Sequence, residues 1–246
     1  MQKNIHVAGV GMTRFGPHPG GTIKSLTREA VTACLDDAGA TCDDVQAVFF
    51  ANTGQAVFEG QIAIPGQIAL KHAGIEGVPV VNVENACASG ATAFWLACRY
   101  LESGAADIVL AVGAEKMVFE AEAQKAAVFR AFEGGMDISE ADATLNTLLE
   151  LGKGVDGPSG EGHRTRFMDI YAAVCRAHMS RFGTTQRQLA IVASKNHDHA
   201  EHNEKCHFRK PISVDKVLES RALAYPLTVA MCSPLSDGAA AALLCT

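Results

Sequence analysis

Short, dense apolar runs alternate with longer stretches of helical spacing along the first 115 residues. Residues 5–11 (IHVAGVG) predict a strand. A helix near 22–38 follows, opened by Thr22 as N-cap and ended by Gly39. VQAVFFANTG (45–54) predicts a second strand, QIAIPGQIALKHAG (61–74) a short helical segment interrupted by Pro65 and Gly66, and VPVVNVE (78–84) a third strand rich in Val. A helix-length segment at 87–103 comes next. ADIVLAVGAE (106–115) is nearly continuous in apolar residues, as a strand covered on both faces should be. The alternation of strand and helix predicts a layered α/β domain.

From about 116 to 165 the pattern changes. Charge mixes with isolated apolar residues, and KGVDGPSGEGH (153–163) concentrates glycine and turn formers, so the segment reads as an inserted loop region rather than core. Amphipathic helices resume at about 168–181 and 186–203. DGAAAALL (237–244) reads as a final buried strand.

Composition narrows the classes of function. The chain has 246 residues, 48% hydrophobic and 20% charged, enough to bury a substantial core. Its formal net charge is -6, with both signs interspersed, which leaves no electrostatic footprint for nucleic acid or an anionic membrane. Eight cysteines occur without a CxxC or a dense framework. The start, MQKNIHVAGVG, lacks the basic and apolar regions of a secretory signal, and no run approaches a membrane span. A reducing cytoplasm is the expected compartment.

The chemistry concentrates in VNVENACASGATAFWLACRYLESG (81–104), where a buried-type strand runs directly into a helix with Cys87 in its first turn. Free backbone N–H groups and the positive end of a helix favour thiolate over thiol, which makes such a sulfur nucleophilic. The small neighbours Ala86, Ala88, Ser89 and Gly90 keep the approach open. A buried structural cysteine is the alternative reading. Residues 88–98 (ASGATAFWLAC) carry no charge on any face, so this helix is expected to be buried all round. A single sheet covers only one side of a helix, and the rest of the chain supplies no obvious second sheet.

Other candidates carry less. NHDHAEHNEKCH (196–207) gathers His197, His199, His202, Cys206 and His207, but on one helix only His199 and His202 share a face; no metal site is expected, and a solvated helix end is the better reading. GVGMTRFG (9–16) lacks the third glycine of a dinucleotide fingerprint and reads as a turn. Glu84, Glu115 and Asp237 are candidate catalytic carboxylates whose positions at strand or turn borders favour structural roles. Cys98, Cys175 and Cys232 read as core.

VENACASGATAF resembles the nucleophile motif of thiolases, GAEKM (113–117) the segment after their fourth strand, and CSPLSDGAAAALL (232–244) the segment that closes their first half. Between these motifs, YAAVCRAHMSRFGTTQRQLAIVASKNHDHA (171–200) and FRKPISVDKVLESRALAYPL (208–227) are most similar to the sterol-carrier-protein type of thiolase, also called lipid-transfer-protein-like. The resemblance covers the whole chain. It implies a thiolase-like N-terminal half: a mixed five-stranded sheet with helices on both faces, residues 116–165 as a loop insertion covering substrate, and the Cys87 helix in a layer shared with a second, duplicated half.

The activity implied is acyl transfer. Cys87 attacks the keto carbon of a 3-ketoacyl-CoA, acetyl-CoA or propanoyl-CoA leaves, and the acyl group passes to a second CoA; the reverse is a Claisen condensation. Coenzyme A enters as substrate and no cofactor is implied. Ser233 is expected beside the pantetheine arm. The expected partners are acyl-CoA and CoA, with a second copy of the chain or a chain carrying the C-terminal half. That half supplies the family's activating His and second Cys in HExF- or HDxF-like and CxG-like motifs, and none of these occurs here. The isolated chain is therefore expected to be nearly inactive, either as a natural half or as a truncated thiolase. Two other readings stay open: another condensing or retro-aldol chemistry on the same fold, or a non-catalytic binding or assembly subunit.

Overall fold

The structure is a computed structural model and describes residues 4–158, 160 and 164–246. Met1–Lys3 of the expected leaderless start, and Ser159 and Glu161–His163 of the glycine-rich turn segment, lie outside the described residues. The chain divides into two compact units, one running up to Val128 and resuming at Leu235–Thr246, the other spanning Phe129–Pro234.

The first unit opens with β1 (His6–Met12), α1 (Ile23–Ala38), β2 (Ala47–Ala51), α2 (Gln55–Phe58) and α3 (Pro65–His72). β3 (Val80–Val83), α4 (Ser89–Glu102) and β4 (Ile108–Glu115) follow. α5 (Glu122–Glu133) crosses the boundary into the second unit, which holds α6 (Ala141–Leu151), α7 (Arg166–Phe182), α8 (Gln186–Ala200), α9 (Val214–Glu219) and a small hairpin of β5 (Ala222–Ala224) and β6 (Leu227–Thr228). β7 (Gly238–Cys245) returns to the first unit.

The sheet has the order β1-β7-β4-β2-β3. β2 is parallel to β3 and β4, and β7 runs antiparallel between β4 and β1, so the sheet is mixed. Each face has its own core. α1 and α3 cover one through Leu26, Val31, Leu35 and Leu70 against Val48, Phe50, Leu110 and Leu243; α4 covers the other through Ala93, Ala97 and Leu101 against Phe49, Val109 and Leu244. Burying a side chain such as Phe50 or Leu70 contributes about 1.5–3 kcal/mol.

Local chemistry explains most boundaries. Thr22 caps α1 in a capping box, its hydroxyl accepting from Ser25 N at 3.1 Å while Ser25 Oγ accepts from Thr22 N at 2.9 Å, and Gly39 ends the helix in the left-handed conformation. Pro65 does not interrupt a helix beginning at 61; it opens α3, where its missing N–H is no loss. Gly9 and Gly11 do not form a turn either. They lie inside β1 because α1 crosses so closely that a Cβ on Gly11 would fall 2.2 Å from Ala30 O. Residues 116–165, read as loop, contain α5 and α6, whose apolar positions are spread among charged ones.

α4 is not buried all round within this chain. The sheet covers its Ala93–Ala97–Leu101 side, while Phe94 and Trp95 on other sides are 39% and 56% exposed. One sheet can bury only one face of a helix.

Candidate active site

The three parallel strands end level with one another: Ala51 of β2 pairs with Val83 of β3 and Gly113 of β4. At this carboxyl edge the chain leaves the ladder, and loop side chains converge. The residues there are polar. Asn52 and Thr53 follow β2, Glu84 and Asn85 follow β3, and Glu115 is the last residue of β4.

Cys87 lies at the same edge, exposed, on a 3-10 turn formed by Ala86–Ala88. This turn precedes α4, so the cysteine stands one tight turn ahead of the helix rather than within its first turn. Ala86 has φ 47, a left-handed conformation that costs a residue with a Cβ about 1–2 kcal/mol and persists only where neighbours fix it.

Those neighbours are hydroxyls and a carboxylate. Ser89 Oγ donates to Ala86 O at 2.7 Å and accepts from Asn85 N at 2.8 Å. Thr53 Oγ1 lies 3.0 Å from both Ala86 O and Ser89 Oγ, and Ala86 N donates to Glu84 Oε1 at 2.7 Å. Both backbone groups of Ala86 are thereby held. Asn85 Nδ2 ties the turn to α4 by donating to Thr92 Oγ1 at 2.9 Å. Ser89, read from sequence only as a small neighbour, is buried and bonded. Thr53 went unread, although a polar Asn-Thr-Gly directly after a buried strand marks the place where a parallel sheet gathers its site.

Two carboxylates meet different environments at the end of β4. Glu115 accepts from Thr53 N, and from Gly54 N at 3.3 Å. Burial pushes its carboxyl up to about 7 against the lowering effect of these N–H groups, and the nearby charge of Glu84 adds to the rise. Asp237, fully buried, accepts from Lys116 Nζ at 2.7 Å, Met117 N at 2.7 Å, Val118 N at 2.8 Å and His18 N at 2.9 Å. Burial opposes its ionisation, yet the Lys116 ammonium and these N–H groups hold the carboxyl below its usual range. Lys116 also donates to Val118 O and lies 5.0 Å above the Phe119 ring. Asp237 is thus a structural clamp. Glu84, by contrast, binds the turn that carries Cys87, at Ala86 N, and Glu115 binds the backbone of Thr53 and Gly54, whose Thr53 hydroxyl reaches the same turn.

Residues 5–246 match the family model described as thiolase, N-terminal domain. The chain belongs to the thiolase N-terminal domain family. It is 34% identical over 244 residues to an acetyl-CoA acetyltransferase of Methanothermobacter thermautotrophicus, covering 99% of this chain and 57% of that one. It is 33% identical to sterol carrier protein 2 of Gallus gallus, covering 99% and 41%. Benzoylsuccinyl-CoA thiolase subunit BbsB of Thauera aromatica is 30% identical, with 100% and 56% covered. The chain thus spans about half the length of the curated relatives it matches. A solved structure titled Ltp2-ChsH2(DUF35) aldolase shares the fold, with a TM-score of 0.67 at 23% identity over 98% of this chain and 55% of that one.

The remaining candidates of this thiolase domain belong to other elements of the chain. Ser233 is exposed, in the second unit. Cys98, Cys175 and Cys232 are partly buried rather than core, and burial pushes each thiol up. At the end of α8, His197 stacks on Phe208 and lies 3.3 Å from Lys210 O, while Cys206 Sγ donates to Ala200 O at 3.2 Å. Among the described residues no group of three His, Cys, Asp or Glu could hold a metal ion. No described helix is long and apolar enough to cross a membrane.

Proposed function

We propose that this thiolase domain carries the nucleophile of an acyl-CoA acyltransferase, with Cys87 forming the acyl-enzyme. The observation that carries the reading is the exposed Cys87 on a left-handed turn whose backbone is fixed from two strand ends and from the first residue of α4. Such a sulfur is open to a thioester substrate while its own backbone cannot drift. Relatives named acetyl-CoA acetyltransferase support acetyl as one group transferred.

In the thiolytic direction the Cys87 thiolate adds to the keto carbon of a 3-ketoacyl-CoA. The bond between the α and keto carbons then breaks, its electron pair leaving with the acetyl-CoA or propanoyl-CoA fragment, which takes up a proton. The acyl group remains on sulfur until a second CoA thiolate displaces it. Two protons must be handled, one from the incoming thiol and one for the departing carbanion, and the oxyanion must be stabilised. A C-terminal half supplies the His and second Cys for these steps. It also covers the exposed Phe94 and Trp95 of α4, on the same chain or a partner chain, and the assembly pairs with a second copy. Ser233 contacts the pantetheine arm. Coenzyme A acts as substrate without a further cofactor, and the setting is cytoplasmic.

The test is trapping. Incubating the assembled protein with acetyl-CoA or acetoacetyl-CoA should add the mass of an acetyl group to the Cys87 peptide, and Cys87→Ala should abolish it. Absence of that mass increase from a complex containing the second half removes the covalent mechanism. Purification from the native host shows whether the second half is a separate chain.

A further inference from the structure

The acyl-transfer reading uses Cys87 and leaves Glu115 without a part. We infer that Glu115 is a positioning residue for this nucleophile: through Thr53, its carboxyl group holds the left-handed Ala86 turn that presents Cys87. The inference rests on Cys87 being the acyl-transfer nucleophile. Thr53 and Gly54, just past the end of β2, turn two consecutive backbone N–H groups onto one carboxyl group. Converging N–H groups of this kind make a fixed anion cradle. With its backbone pinned, Thr53 directs its hydroxyl at Ala86 O, 3.0 Å away, beside the second hydroxyl donor, Ser89. Without Glu115 the two N–H groups turn to water, Thr53 loses its fixed orientation, and the Ala86 carbonyl loses one of those donors. A residue with a Cβ then has less reason to remain left-handed.

Lys116, the next residue, has only donors to offer and is paired with Asp237. Glu84 beyond β3 opposes the ionisation of Glu115; Cys87 follows on the turn; Glu59, at the C-cap of α2, accepts from Gln55 Nε2 at 3.0 Å; and the Lys116–Asp237 pair lies at the β4–β7 end. Of these, Glu84 shares the turn directly, through Ala86 N.

The experiment follows iodoacetamide alkylation of the full chain against pH. The Cys87 peptide is quantified by mass spectrometry, with the Cys206 peptide as internal reference and a urea titration of every variant as the folding check. In the native chain the Cys87 rate should carry, besides the thiol's own titration, an inflection near pH 7 from Glu115. Glu115→Gln keeps the size and one acceptor oxygen and should remove that inflection. Glu115→Ala should slow Cys87 about threefold to tenfold relative to Cys206, the range that one ordinary hydrogen bond spans. Thr53→Val should abolish the inflection while leaving the carboxyl group in place. If the inflection survives in Glu115→Gln, or if Cys87 keeps its native rate relative to Cys206 in Glu115→Ala, Glu115 does not position the turn. If it disappears in Glu115→Gln but survives in Thr53→Val, the carboxylate acts on the sulfur through space and the positioning role is overturned. Alkylation needs no coenzyme A, so failure of acetyl trapping with this pH pattern intact counts against the acyl-transfer reading alone.

Discussion

Glu115 and Lys116 are consecutive at the end of β4, yet the two regions they anchor are built on opposite terms. The Lys116–Asp237 clamp is closed on itself. A buried cation meets a buried anion, the remaining Asp237 lone pairs take backbone N–H groups, and the carboxyl stays ionised below its usual range. The Cys87 region is open. Its carboxyl group has backbone N–H donors but no cation among the described residues, sits near a second acid, and is pushed up to about 7, while the backbone it helps to hold is left-handed at a residue with a Cβ. A buried charge with full compensation reads as architecture. One left partly uncompensated at the sheet edge that also carries an exposed thiol reads as the functional end of the same strands.

The clamp should give the largest effect when broken. Asp237→Ala leaves the Lys116 ammonium buried and unpaired and three backbone N–H groups without their acceptor. It should cost about 3–5 kcal/mol in urea denaturation at neutral pH. Because Asp237 is held low, its contribution is present above pH 4 and disappears on acidification through its folded value; the variant should lack that acid-induced loss.

Glu115 should show the opposite sign. Its folded value, about 7, lies above the free value of 4.5, so the folded chain keeps the proton longer than the unfolded chain does. Stability therefore falls as pH rises from about 4.5 to about 7, by on the order of 3 kcal/mol in all, and changes no further above that. The difference in urea stability between Glu115→Gln and the native chain, measured from pH 4.5 to 8, should rise across that window and level off with the variant more stable. A flat difference would place Glu115 in the same class as Asp237. A variant that gains stability while losing control of Cys87 would show the trade between stability and activity expected of a functional site.

The sequence carried the scaffold well for physical reasons visible in particular residues. Thr22 and Gly39 bracket α1 because a cap hydroxyl and a left-handed glycine are local signals, and β4 announces itself by an unbroken apolar run. The place of Cys87 between a strand and a helix was legible from a strand running into small residues. Its supports were not: Thr53, Glu84 and Ser89 are separated by up to 36 residues and meet only because β2 and β3 end level. The strand at 5–11 was legible, but the reading of Gly9 and Gly11 as a turn failed because their need for a missing Cβ lies in α1, nineteen residues or more away along the chain. The helices within 116–165 were missed because their apolar residues are spread among charges, and α4 looked uniformly buried because a lone sequence segment does not reveal how many of its sides are covered.

A smaller effect comes from the open region. Thr53→Val removes one of two hydroxyl donors to Ala86 O while Ser89 keeps the other, so the stability loss should be about 1 kcal/mol, read as a shift of the urea midpoint with unchanged slope. A loss as large as that of Asp237→Ala would mean that the turn is part of the core and would erase the contrast between the two regions.

The smallest effect should come from the outward side of α4. Trp95 is 56% exposed, and the helix is held to the sheet by Ala93, Ala97 and Leu101 on another side. Trp95→Ser should leave the stability of this chain within about 0.5 kcal/mol, because exposed positions away from caps, clamps and cavities tolerate change. The same substitution in a complex with the C-terminal half should weaken the association, since an exposed tryptophan that becomes buried carries more binding energy than most residues. Pull-down of the two halves at graded salt and concentration separates these outcomes. A large loss of stability in the chain alone would show that α4 is already covered on that side and that the open region is closed after all.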